Sequence, residues 1–178
     1  MKIVSDAVDI AAPAGAVFAF MDDSRNVGCH MTEESSLPMM GSRLTPQILS
    51  KHATGLGALH RYSGKLMGLP LDFAESVTKY VPGREKVWQT VGRPRLWIMS
   101  DYEMRLTVRP RLFSSSQLTV SMAYRLPRSP VWRFIGMLVA GCYTRWRLRR
   151  MCSHAKQVLE GRDRAPFDEL RTGTPISA

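Results

Sequence analysis

Residues 117–160 read QLTVSMAYRLPRSPVWRFIGMLVAGCYTRWRLRRMCSHAKQVLE, and the hydrophobic period changes within them. Leu118, Val120, Met122, Tyr124 and Leu126 alternate with small or polar residues, the two-residue repeat of a strand with one dry and one wet face. Ser129-Pro130 then opens a segment in which Phe134, Leu138, Cys142, Leu148, Met151, Cys152, Ala155 and Leu159 recur at helical spacing; proline is tolerated in a first helical turn. This pattern predicts a long helix over roughly 131–160, with Gly161 just past its end. Trp132, Ile135, Val139 and Tyr143 make its first half apolar nearly all round, whereas Arg145, Arg147, Arg149, Arg150 and Lys156 make its second half amphipathic and basic. Gly136 and Gly141 each cost about 1 kcal/mol relative to alanine in a helix interior, so they predict a bend or a close approach to a sheet.

Upstream, Leu96, Ile98, Ser100, Tyr102, Met104, Leu106 and Val108 share one strand face, and Trp97, Met99, Asp101, Glu103, Arg105, Thr107 and Arg109 share the other. Gly57–Met67, Leu69–Val81 and Lys86–Val91 are also strand-like, separated by turns at Gly68, Pro82-Gly83, Gly92-Arg93-Pro94 and Arg109–Ser116. Ser36–Ser50 reads as a weaker strand and Lys2–Ile10 as the first. Ala12-Pro13 starts a helix with Val17, Phe18, Phe20 and Met21 on its apolar side, and Asp22-Asp23-Ser24 caps a second short helix ending near His30. Strands followed by one long helix predict an α+β domain: a curved antiparallel sheet of about seven strands around a C-terminal helix, with two short helices after strand 1. One domain spans 1–161, and the polar segment 162–178 is expected to be a flexible tail.

The formal net charge of +10 is unevenly distributed. Residues 1–103 balance, whereas residues 104–159 carry 11 Lys/Arg and no acid. Such one-sided charge favours anionic surfaces or ligands. Nothing in the sequence reads as an element for specific nucleic-acid recognition, a phosphate loop or a dinucleotide fingerprint, so no cofactor is expected. His52 and His60 lie about 27 Å apart on an extended chain and meet only if Gly55 and Gly57 form a turn, so no metal site is expected. Three cysteines without paired spacing, Asp6 and Asp9 in the N-terminal segment and the lack of a membrane-length apolar run predict a cytoplasmic protein.

The segments Ile10–Phe20 (IAAPAGAVFAF), Gly64–Pro70 (GKLMGLP), Glu75–Arg84 (ESVTKYVPGR) and Tyr124-Arg-Leu-Pro127, in this order and spacing, resemble the START-related SRPBCC superfamily, including its polyketide cyclase/dehydrase-like and lipid-transport-like members. The resemblance covers about Lys2 to Glu160. It implies a helix-grip fold with an apolar cavity between sheet and helix, and as partner a small hydrophobic molecule such as a polyketide, lipid or isoprenoid. It also implies cyclisation or dehydration of a polyketide-like substrate; the fold alone does not decide between an enzyme and a carrier. The alternative is a non-catalytic lipid carrier or peripheral membrane module that uses the basic helix on an anionic surface.

Site residues follow from position. His30, Glu75, Tyr102 and Tyr124 are the candidates for proton transfer. Glu75 shares strand parity with Leu71, Phe73 and Val77, and buried phenols need partners. Leu96, Ile98, Tyr102, Met104, Val120, Met122 and Tyr124 from the sheet, with Phe134, Leu138, Cys142 and Arg145 from the helix, are expected to line the cavity. Arg145 would pair with Glu75, bind an anionic ligand, or snorkel to the rim. Arg147 and Arg150, three residues apart, are expected to face solvent.

Overall fold

The computed structural model of the chain is described for residues 1–23, 43–66 and 69–162. Its elements are β1 (Lys2–Ile10), α1 (Ala14–Asp22), β2 (Arg43–Ile48), β3 (Leu59–Leu66), β4 (Leu69–Val81), β5 (Glu85–Arg95), β6 (Asp101–Pro110), β7 (Ser116–Arg125) and α2 (Pro130–Arg162). The strands form one antiparallel sheet in the order β1-β7-β6-β5-β4-β3-β2. The expected α+β helix-grip architecture is therefore present. The second short helix and the candidate His30 fall in 24–42, and the tail in 163–178, outside the described residues.

Parity sets the inner face. Tyr102, Met104, Leu106 and Val108 of β6 and Leu118, Val120, Met122 and Tyr124 of β7 are all buried. The β6–β7 register places Tyr102 opposite Tyr124 and Met104 opposite Met122. Leu71, Phe73, Glu75 and Val77 continue this face on β4. Burying a side chain of this size contributes about 1.5–3 kcal/mol, so the inner face is the main stabilising surface.

Two boundaries differ from expectation. Gly92-Arg93-Pro94 is an irregularity within β5, not a turn: Ala74 pairs with Val91 while Asp72 pairs with Arg95, and Gly92 has φ 74°. The chain leaves the sheet instead at 96–100. There strand parity no longer holds: Met99, expected on the wet face, is buried, while Leu96 and Ile98 are half-buried. Trp97 Nε1 donates to Pro70 O at 2.6 Å, and its ring lies 4.7 Å from that of Trp132. This contact fastens the start of α2 to the end of the sheet.

Helix α2 packs mainly along β1, with further contacts to β7 and α1. It continues through Gly161 to Arg162 rather than stopping before the glycine. Near its C-terminal end, Lys156 Nζ donates to Asp9 O at 3.1 Å and Glu160 Oε1 accepts from Ala11 N at 3.1 Å. Near its start, a Cβ on Gly136 would lie 2.5 Å from Ile98 O, so this glycine marks the expected close approach. A Cβ on Gly141 would meet only Tyr124 Oη, at 3.7 Å, which is ordinary contact. Helix α1 is held to the sheet by Asp22, which accepts from Lys86 Nζ and from Tyr80 Oη, both at 2.7 Å.

Candidate functional site

The buried face of α2 is Ala140, Thr144, Arg147, Leu148, Met151, Cys152, Ala155 and Leu159. Leu148 and the residues after it follow the expected stripe; the first half does not. Phe134 is 60% and Leu138 62% exposed, and Cys142 and Arg145 also face outward. The expectation that these four residues line the cavity is overturned. The apolar first half offers hydrophobic side chains in every direction, so periodicity cannot select its inner face. The sheet selects the small ones, Gly136 and Ala140, which let the backbones approach.

The two arginine expectations also exchange places. Arg145 is exposed, and it is Arg147, expected in solvent, that is buried at 7% exposure. Arg147 lies four residues before Met151 and eight before Ala155, so the helical spacing of the unambiguous half already contained this signal. Its charged character argued the other way, because a buried guanidinium is costly unless partnered.

Partners come from the sheet. Glu75 projects inward from β4, as its parity predicted, and Tyr102 Oη donates a hydrogen bond to Glu75 Oε1. Arg147 Cζ lies 5.8 Å from the centre of the Tyr102 ring. Phe73 packs edge-on against Tyr102 and stacks on Tyr62, giving the cluster aromatic walls. A carboxyl, a phenol and a guanidinium thus meet inside the core, with buried His60 paired across from Glu75 on β3. Two further polar atoms here, Thr144 Oγ1 and Arg147 Nε, are buried without a hydrogen-bond partner among the described residues.

The electrostatics follow from burial and from these neighbours. Burial pushes the Glu75 carboxyl above its ordinary range; the Arg147 charge and the Tyr102 hydrogen bond pull against it without cancelling it. Tyr102 is raised well above an ordinary phenol, first by burial and then by the Glu75 charge. Tyr62 is raised for the same two reasons. For Arg147, burial opposes the charge, but Tyr102, Tyr143 and Glu75 outweigh it, so the guanidinium stays a cation. The arrangement can orient an oxygen with a fixed positive charge. It also holds a carboxyl whose proton is retained to higher pH than usual, the property wanted in a general acid or base.

The remaining sequence candidates are placed as follows. Met104, Val120 and Met122 are buried on the inner face, and Leu96 and Ile98 lie at its edge beside the start of α2. Tyr124 is buried, with its hydroxyl close to Gly141. His60 is buried, and its Nε2 lies 2.7 Å from Ala53 O across the turn made by Gly55 and Gly57. Arg147, Thr144 and Tyr62 were not among the expected site residues. Tyr62 shares a strand face with His60, but Gly64 and the charged Arg61 and Lys65 in β3 obscure the alternation.

Comparison with solved structures places this architecture among known folds. A protein from Thermus thermophilus superposes with a TM-score of 0.67 at 11% identity, covering 90% of this chain and 98% of that one. The Zhui aromatase/cyclase from a Streptomyces species superposes with a TM-score of 0.63 at 14% identity, covering 88% and 94%. Norcoclaurine synthase from Thalictrum flavum, in complex with dopamine and hydroxybenzaldehyde, gives a TM-score of 0.63 at 15% identity, covering 90% and 87%. No protein-family model matches the chain, and no curated protein sequence does. At these identities the likeness is one of fold: the helix-grip arrangement of an antiparallel sheet around a long C-terminal helix.

Proposed function

We propose that this chain binds a hydrophobic small molecule bearing an oxygen function between the sheet and α2, and that Arg147, Thr144 and the Glu75–Tyr102 pair hold that oxygen. The observation that carries the reading is the buried polar cluster itself. A guanidinium and a hydroxyl with unmet hydrogen-bonding capacity inside an apolar interior are expensive for folding alone, and a ligand carbonyl, phenol or carboxylate satisfies both. The aromatase/cyclase and the norcoclaurine synthase complex, which share the fold, support an oxygenated aromatic or polyketide-like molecule. The chemistry available is proton transfer through Glu75 and Tyr102 on a substrate folded against the aromatic walls, which suits cyclisation or dehydration.

The test compares 1-naphthol with naphthalene as probes, followed by tryptophan fluorescence, alongside native mass spectrometry of the freshly purified protein for a retained hydrophobic ligand. The expected result is tighter binding of 1-naphthol, with Arg147→Met weakening it by about tenfold, the worth of one hydrogen bond to a charged group. Naphthalene affinity should change less than about twofold, and Arg145→Met should leave both probes unaffected. Equal affinity for the two probes in the wild-type protein would remove the oxygen-reading role.

A further inference from the structure

The outward face of α2 joins a run of exposed apolar side chains to a run of exposed cations. Val131, Phe134 and Leu138 follow one another at helical spacing and are 65%, 60% and 62% exposed, flanked by Met137 and Val139 at 48% and 43%. The same stripe continues one turn at a time through Cys142, Arg145 and Arg149, none of them buried. Arg128, just before α2, and Arg133, in its first turn, are also exposed. Over residues 104–159 no acid balances these cations. The nearby Asp101 carboxylate lies 3.8 Å from Arg125 Nε. Helix α2 thus turns its apolar first half outward and follows it, on the same face, with guanidinium groups. Among the described residues no helix is long and apolar enough to cross a membrane.

We infer that this face docks on an anionic lipid bilayer. The first turns of α2 enter the interface through Val131, Phe134 and Leu138, and Arg145 and Arg149 lie at the level of the phosphates. Apolar side chains gain by leaving water, and arginines beside them gain from the negative surface; neither feature alone gives stable docking, but the two on one helix face do. Charge complementarity selects this occupant over a second copy of the chain, whose corresponding face would carry the same positive charge. The inference is independent of the cavity ligand, because Val131, Phe134, Leu138, Arg145 and Arg149 lie on the side of α2 opposite Arg147.

Vesicle flotation tests it, with phosphatidylcholine–phosphatidylglycerol vesicles against pure phosphatidylcholine, at low and high salt. The wild-type protein should bind the anionic vesicles at least about tenfold more tightly, and salt should weaken this binding. Phe134→Ser with Leu138→Ser should abolish it, and Arg145→Glu with Arg149→Glu should remove the preference for anionic lipid. Trp132, next to the inserted turns, should shift its emission to the blue in wild type only. All these side chains lie on the outward face, and unchanged melting temperatures check that the variants fold. A third variant, Phe113→Ser, changes the turn between β6 and β7, where Phe113 is 98% exposed with φ 57°, at the opposite end of the sheet from the start of α2. It should have no effect. Three results would overturn the proposal: equal uptake by both vesicles, loss of uptake with Phe113→Ser alone, or a salt-insensitive dimer that Phe134→Ser with Leu138→Ser dissociates without changing uptake.

Discussion

The two halves of α2 invert the usual relation between composition and burial. The first half, rich in valine, phenylalanine, leucine and methionine, turns Val131, Phe134, Met137, Leu138 and Val139 outward and fully buries only Gly136 and Ala140, with Trp132, Ile135 and Tyr143 half-buried. The second half, crowded with arginine, supplies the buried stripe from Thr144 to Leu159 and places one of its arginines inside. Hydrophobicity alone therefore does not decide which residues of a helix are covered. Coverage follows from which positions the sheet reaches and at what separation. Near Ile98 the chain leaves the sheet and presses against the helix backbone, leaving room for a hydrogen atom but not a side chain. Farther along, the interior holds the Arg147 guanidinium beside the Tyr102 ring and the Glu75 carboxyl bonded to Tyr102.

The largest effect should separate two leucines ten residues apart on this helix. Leu148 is fully buried, so Leu148→Ala should cost about 2–5 kcal/mol in urea denaturation. Leu138→Ala should stay within about 0.5 kcal/mol. Similar losses at both positions would mean that the first half is covered after all.

Next come the glycines. Gly136→Ala drives a methyl group into a backbone oxygen and should destabilise by about 1–3 kcal/mol. Gly141→Ala meets only ordinary contact, so helix propensity should dominate and raise stability by up to about 1 kcal/mol. Because Gly141 lies beside the Tyr124 hydroxyl, its substitution should affect ligand binding more than that of any outward residue. A higher melting temperature for Gly136→Ala would contradict the close approach.

The smallest effect is a pH dependence. Burial raises the Glu75 carboxyl above its ordinary 4.5 in the folded protein, against the pull of Arg147 and Tyr102. The folded state then holds this proton more tightly than the unfolded state does. The stabilisation from Glu75 is fully present below pH 4.5 and is lost as pH rises through the folded-state value. Glu75→Gln cannot ionise. The stability of wild type relative to this variant should therefore be level in acid and fall with rising pH, read from urea midpoints across the range. A difference that rose with pH would show that Arg147 outweighs burial and that the pair behaves as a salt bridge.

Much of the fold was legible because a strand exposes its two faces in strict alternation. Tyr102, Met104, Val120, Met122 and Tyr124 could be assigned to one face by parity, and Glu75 could be placed among Leu71, Phe73 and Val77 although it is charged. Parity failed at Leu96–Ser100 because it presumes an unbroken strand, and Met99 turned inward where the chain had left the sheet. The helix was legible in extent and in the phase of its second half. Its first half was not, since apolar residues on every side satisfy any phase. The sequence by itself thus determined the elements, their order and the inner face of each strand, all of which depend on near neighbours in the chain. The identity of the arginine that enters the core was decided only by the tertiary structure. Burying a guanidinium is tolerable only opposite a carboxyl and a phenol, and Glu75 and Tyr102 are brought to Arg147 from distant strands by the curvature of the sheet around the helix.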